Sequence, residues 1–222
     1  MSVVVIGLNH RSTPLDLLER MTIADVALPK ALHDLISRGD VSEAVVLSTC
    51  NRTEVYAVAE RFHGAYQDIR DFLAEIAFLA PEDFSDHLYT HYDAPAVAHL
   101  FAVAAGLDSA VLGESEILGQ VKVAWDRARE EGAAGPGLNL LFRHALEAGK
   151  RARSETSIGR NVTSVSQAAV ALAADRVGGL AGRRVLVLGA GEMGEAMTFG
   201  LAKAGVAGIA VANRTWDRAE AL

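Results

Sequence analysis

The chain has 222 residues, one cysteine and a formal net charge of −7; half of its residues are hydrophobic and 22% are charged. That is the composition of a core-forming protein of one or two domains, and the acidic balance argues against a general nucleic-acid binder, whose affinity rests on Lys and Arg. A single cysteine excludes an internal disulfide, suits a reducing cytosol and disfavours a cysteine-based metal site, so no metal is expected.

The N-terminus, Met1-Ser2-Val3-Val4-Val5-Ile6-Gly7, has no basic n-region and reads as a first strand over 3–9 rather than a signal peptide. No run of about 18 apolar residues is present, so no membrane span is expected. Residues 25–38 read as a helix, with Val26, Leu28, Leu32, Leu35 and Ile36 at helical spacing and Gly39 as its stop. Two strands come next, at 43–49 and 53–60. Ile69, Phe72, Leu73, Ile76 and Leu79 then mark a helix ending before Pro81, and 87–92 reads as a fourth strand. The order β-α-β-β-α-β is the ferredoxin-like split unit.

Cys50 falls in the turn between the second and third strands, inside Ser48-Thr49-Cys50-Asn51-Arg52-Thr53. A buried small hydrophobe is the common state of a lone cysteine. Polar residues on both sides point instead to an exposed thiol, and Arg52 can favour its thiolate.

Helices are expected over 94–105, 116–131, 138–155 and 165–177. Arg143, Lys150, Arg151, Arg153 and Arg160 cluster beside His144 and read as a solvated helix face. The apolar strand Val185-Leu186-Val187-Leu188 runs directly into Gly189-Ala190-Gly191-Glu192-Met193-Gly194, a helix to Ala204 and a strand at 208–212. Strand, glycine turn, helix and strand is the context a dinucleotide fingerprint requires. The glycines allow a tight turn and close backbone approach to a pyrophosphate at the helix N-terminus. The second strand ends in Asn213-Arg214-Thr215, with no carboxylate for a ribose 2′-hydroxyl and with an arginine for a 2′-phosphate. NADPH is therefore the expected cofactor. The chain stops at Leu222, short of the further strands such a fold uses, so a partial domain is expected. The whole reads as α/β: a ferredoxin-like βαββαβ catalytic domain with additional helices over 1–155, then a partial Rossmann-like dinucleotide-binding domain over 156–222.

Five blocks together resemble the glutamyl-tRNA reductase family: Gly7-Leu8-Asn9-His10-Arg11-Ser12-Thr13-Pro14, the Cys50 turn, Gly106 to Lys122, Gly159-Arg160-Asn161-Val162-Thr163-Ser164-Val165-Ser166, and Val187 to Gly194. The resemblance runs the length of the chain and covers the first half of a family member. It implies that Cys50 attacks the ester of glutamyl-tRNA and that NADPH reduces the resulting thioester to glutamate-1-semialdehyde, the first step of five-carbon tetrapyrrole synthesis. It implies a role in activity for His99. It implies glutamyl binding by Thr49, Asn51, Arg52, Ser109, Glu114, Ser115, Glu116 and Gln120, with Arg52 on a carboxylate, and cofactor binding by 189–194 and 213–215. It further implies a cytoplasmic homodimer, whose dimerisation domain is absent here, and handover to glutamate-1-semialdehyde aminomutase. Glu114-Ser115-Glu116 departs from the family pattern, which leaves Glu116 open to being only a helix-start carboxylate. A truncated chain is expected to have impaired reductase activity. A binding or regulatory module and a cysteine-dependent glutamyl ester hydrolase are the competing readings.

Overall fold

β1 (Ser2–Asn9), β2 (Val41–Thr49), β3 (Arg52–Ala59) and β4 (Tyr89–Tyr92) pair antiparallel in the order β2-β3-β1-β4. α1 (Leu15–Arg20) and α2 (Leu28–Ser37) lie between β1 and β2, and α3 (Phe62–Ala77) lies between β3 and β4. This is the split order expected from the sequence. The computed structural model describes residues 2–158 and 164–222. Cα proximity divides the chain into units 1–158 and 159–222. Residues 159–163, which include Arg160 and most of the fourth family block, lie outside the described residues.

The sheet is apolar because it is covered on both faces. α2 lays Leu28, Ala31, Leu32 and Leu35 on it, and α3 adds Ala65, Ile69, Phe72 and Leu73. Each large side chain so buried contributes about 1.5–3 kcal/mol. α4 (Ala94–Ala105), α5 (Glu116–Glu130) and α6 (Pro136–Glu155) form a second helical layer. Phe142 of α6 packs edge-on to Tyr56 of β3 with ring centroids 5.3 Å apart. Glu43 of β2 accepts the N–H groups of Gly137 and Leu138 at 3.0 and 2.7 Å, capping the start of α6 against the sheet. α6 also crosses close to α4, since a Cβ on Gly149 would lie 2.6 Å from the Ala104 carbonyl oxygen.

β2 and α6 each begin two residues earlier than the sequence reading, at Val41 and Pro136, and α3 ends at Ala77, before Leu79; two further differences have a local cause. The helix read over 25–38 begins at Leu28, after a 3-10 turn over Asp25–Ala27, and Val26 is 93% exposed. Pro29 has no N–H to give and so belongs in the first turn. The strand read over 87–92 begins at Tyr89, because Ser85–His87 is a 3-10 turn. The short α1 carries only one buried side chain, Leu18, and left no periodic signal.

In the second unit, α7 (Val165–Val177) precedes β5 (Arg184–Leu188), α8 (Glu192–Lys203), β6 (Gly208–Ala212) and α9 (Trp216–Glu220). β5 and β6 pair in parallel around a small core of Leu180, Val187 and Leu201. Among the described residues, no helix is long and apolar enough to cross a membrane.

Candidate active site

Directly paired residues of an antiparallel sheet project to the same face. The register matches Asn9 to Arg52, Gly7 to Glu54 and to Tyr89, and Val5 to Tyr56 and to His91. Arg52, Glu54, Tyr56, Tyr89 and His91 therefore share one face, the face that α4 and α6 cover.

Glu54 is the hub of that face, with 0% exposure. Its Oε1 accepts from Arg52 Nη1 at 2.7 Å, His99 Nε2 at 2.9 Å and the Tyr89 hydroxyl at 2.5 Å; its Oε2 accepts from the Tyr56 hydroxyl at 2.6 Å. Burial pushes the carboxyl pKa up, but the His99 hydrogen bond and the Arg52 charge outweigh it and hold the group at about 2. Burial and the Glu54 charge push both tyrosine hydroxyls up, so they stay donors. Space for Glu54 comes from Gly7, where a Cβ would lie 2.8 Å from Glu54 Cγ. An ionised carboxylate only accepts. His99 Nε2 therefore carries a proton, which leaves Nδ1 as the ring position that can take another. The His99 ring also stacks at 5.0 Å from His91 and 5.4 Å from Tyr89.

Cys50 occupies the apex of the two-residue turn between β2 and β3 and is exposed. Neither turn residue takes a positive φ, although two-residue hairpin turns usually need one. The turn is fastened by hydrogen bonds instead, one from the residue that follows β1 and two within the hairpin. His10 N–H donates to the Asn51 carbonyl at 2.9 Å, Asn51 N–H donates to Thr49 Oγ1 at 3.2 Å, and Ser48 and Thr53 hydroxyls bond at 3.1 Å.

Arg52 does not stand at the surface beside the thiol. It is 1% exposed, with Nη1 on Glu54 and Nη2 on Asp108, 2.8 Å from its carbonyl oxygen and 3.0 Å from Oδ2. Two carboxylates neutralise it, so its charge is not free to favour a thiolate. Asp108 also receives Arg11 at 2.9 Å and Asn9 at 3.4 Å.

The other expected substrate residues come after α4. Ser109 Oγ donates to Glu114 Oε1 at 3.2 Å, and both residues are buried. Burial, then Glu116, raises the Glu114 pKa, while Ser109 and Arg153 oppose the rise. Ser115 is the N-cap position of α5, Glu116 its exposed first residue, and Gln120 is half-buried one turn on. Hence Arg52, Glu54, His99 and Asp108 form one connected cluster, and Ser109 with Glu114 a second; Glu116 takes the place a helix-start carboxylate would take.

In the second unit, the expected cofactor residues gather at the carboxyl ends of β5 and β6. Gly189 has φ +106 and donates its N–H to Ala212, and Ala190 N–H reaches Asn213 Oδ1 at 3.4 Å. Asn213 Nδ2 donates to the Thr215 carbonyl at 2.9 Å. Gly191 is the N-cap of α8, and Glu192 begins it. A Cβ on Gly189 or Gly191 would meet nothing within 4 Å, whereas one on Gly194 would lie 2.2 Å from the Gly189 carbonyl oxygen. The first two glycines leave an open cradle and the third serves close packing, which fits a dinucleotide pyrophosphate. Met193 is partly exposed, and Arg214 and Thr215 are exposed.

Residues 6–156 match the family described as "Glutamyl-tRNAGlu reductase, N-terminal domain". The chain belongs to the glutamyl-tRNA reductase family. Residues 171–222 match "Shikimate / quinate 5-dehydrogenase", a dinucleotide-type domain. The chain is 48% identical over 222 residues to glutamyl-tRNA reductase of Rubrobacter xylanophilus, all of this chain and 52% of the relative. It is 45% identical over 222 residues to that of Paenibacillus macerans, covering 51% of it. The solved glutamyl-tRNA reductase of Methanopyrus kandleri is similar at TM-score 0.63 and 39% identity, over 99% of this chain and 51% of that one. The chain thus spans about half the length of these family members. Sequence reasoning missed Glu54, Tyr56, Tyr89 and Asp108, and gave His91 no role. The one available signal was a carboxylate directly before the run Val55-Tyr56-Ala57-Val58-Ala59.

Proposed function

We propose that this chain carries the acyl-transfer centre of an NADPH-dependent glutamyl-tRNA reductase. The observation that carries the reading is the exposed Cys50 at the apex of a fastened turn that leads into β3, the strand that presents Glu54 to His99. The Cys50 thiolate attacks the carbonyl carbon of the glutamyl ester and forms a C–S bond. The proton the Cys50 thiol loses passes to His99 Nδ1; the C–O bond to the tRNA 3′ end breaks, and His99 Nδ1 gives that proton to the leaving oxygen. Ser109 and Glu114 hold the glutamyl group, with Glu114 facing its ammonium. Arg52 contributes through Nη2, where a substrate carboxylate competes with Asp108.

A nicotinamide, when bound at the glycine turn, supplies the hydride that turns the thioester into the aldehyde and returns the Cys50 thiolate. Residues 189–194 would hold its pyrophosphate, and Arg214 with Asn213 and Thr215 would hold the 2′-phosphate of NADPH. Incubation with glutamyl-tRNA and then peptide mass measurement tests the covalent step. A glutamyl adduct is expected on Cys50 and none in Cys50→Ser. Aldehyde formation by Cys50→Ser within a few-fold of the parent would overturn it.

A further inference from the structure

Arg153 belongs to a basic stretch that reads as a solvated helix face, yet its guanidinium points inward. Nη2 donates to the Glu114 carbonyl at 2.7 Å, across 39 residues of sequence. Nη1 donates to the Ala104 carbonyl at 2.8 Å and to the Gly149 carbonyl at 3.2 Å. Nε is buried without a hydrogen-bond partner among the described residues. Its neighbours Arg151, Ser154 and Glu155 bond within α6, whereas Arg153 ties the helix to the loop between α4 and α5.

That loop, 106–115, carries Ser109, Glu114 and Ser115. It is closed by Gly113 N–H donating to the Gly106 carbonyl at 2.9 Å, with both glycines near φ +80. Its closing end lies against Arg153 of α6 and Ile158 beyond the helix. A Cβ on Gly113 would fall 2.0 Å from the Ile158 carbonyl oxygen, and one on Gly106 would fall 3.3 Å from Arg153 Nη2. A planar guanidinium can serve several carbonyls in fixed directions, which an ammonium on a flexible stem cannot do.

We propose that Arg153 is a positioning residue for acyl transfer: it clamps the loop bearing Ser109 and Glu114 to α4 and α6 and touches no substrate itself. The proposal rests on the reading that this loop holds the glutamyl group. The test uses a chain of full family length, with Arg153→Ala and Arg153→Lys. Amide exchange over 106–115, and over the 41–59 hairpin, reads the clamp. Single-turnover glutamylation of Cys50 across glutamyl-tRNA concentrations reads function, and alkylation of the Cys50 peptide by iodoacetamide reads the thiol alone. For Arg153→Ala, loop exchange quickens and the half-saturating glutamyl-tRNA concentration rises about tenfold or more, the loss of a charge-assisted contact. Hairpin exchange and alkylation stay within about twofold, and added methylguanidinium restores part of the glutamylation. Arg153→Lys shows the same pattern more weakly. Unchanged half-saturation in Arg153→Ala overturns the proposal, as does parallel loss of hairpin protection in both variants, which marks a general structural residue. A parent chain that forms no Cys50 adduct defeats the underlying reading instead.

Discussion

His99 Nε2 lies 2.9 Å from Glu54 Oε1, although 45 residues separate them in the chain. The pairing fixes which nitrogen of the imidazole is protonated. It depends on Glu54 staying ionised while buried, and so on Arg52, Tyr56 and Tyr89 around it.

Glu54→Gln should uncouple that arrangement. An amide can donate to His99 Nε2, which moves the ring proton to Nδ1, and Arg52 loses one of its two carboxylates. Breaking a buried charge pair should destabilise the fold by about 3 kcal/mol. Among chains that remain folded by circular dichroism, Cys50 glutamylation should fall by about a hundredfold or more, while iodoacetamide alkylation changes little. Glutamylation within a few-fold of the parent would remove Glu54 from the mechanism.

Acid should expose the same group. The Glu54 pKa is lowered from 4.5 to about 2 in the folded state. A depressed pKa gives stability that is present above the unfolded value and lost as pH falls through the folded one. Between about pH 4.5 and pH 2 that loss should be on the order of 3 kcal/mol. Urea midpoints taken from pH 6 to pH 3 should fall more steeply for the parent than for Glu54→Gln. Parallel curves would show that the carboxylate is not the acid-sensitive element.

The glycine turn separates binding from packing. Gly191→Ala places its methyl in the open cradle, so the melting temperature should hold while NADPH affinity drops by about tenfold or more. Gly194→Ala drives its methyl onto the Gly189 carbonyl oxygen, so the melting of the second unit and NADPH binding should fall together. Two variants with the same profile would mean that the cradle is not where the dinucleotide lies.

Arg214→Glu should weaken NADPH more than NADH. Losing one charge-assisted contact to the 2′-phosphate should cost about 1.5–3 kcal/mol, or roughly ten- to hundredfold in affinity. Cofactor titrations that lose equally for both would assign the 2′-phosphate to other residues.

The split sheet was legible because β1, β2 and β3 carry valine-rich apolar runs and the turn between β2 and β3 is polar. Cys50 was legible for the same reason, since a core thiol does not sit among such polar neighbours. Glu54 was not, because two of its four partners, Tyr89 of β4 and His99 of α4, are distant in sequence and reach it only through strand pairing and helix packing. Arg52 was misplaced because the sequence shows its nearness to Cys50 but not Asp108, 56 residues on, which together with Glu54 holds its guanidinium in the interior. Arg153 was misplaced by its company, since Arg151 and His144 on the same helix are exposed and paired to Glu155 and Glu147. The helix at 25–38 was shifted because spacing counted Val26 and ignored what Pro29 requires.

All eight residues of β3 are buried, in a sheet type whose second face ordinarily meets water. The strand that carries the centre is thus a filling between two helical layers, and half of its enclosure comes from sequence beyond the sheet. A chain cut after Tyr92 would keep every strand of that sheet and still be gutted, with Arg52, Glu54 and Tyr56 open to solvent and the imidazole gone. Cys50 and the Glu54–His99 pair can therefore be transplanted together only as one block, residues 2–158, and a graft of the hairpin alone would carry the thiol without the imidazole.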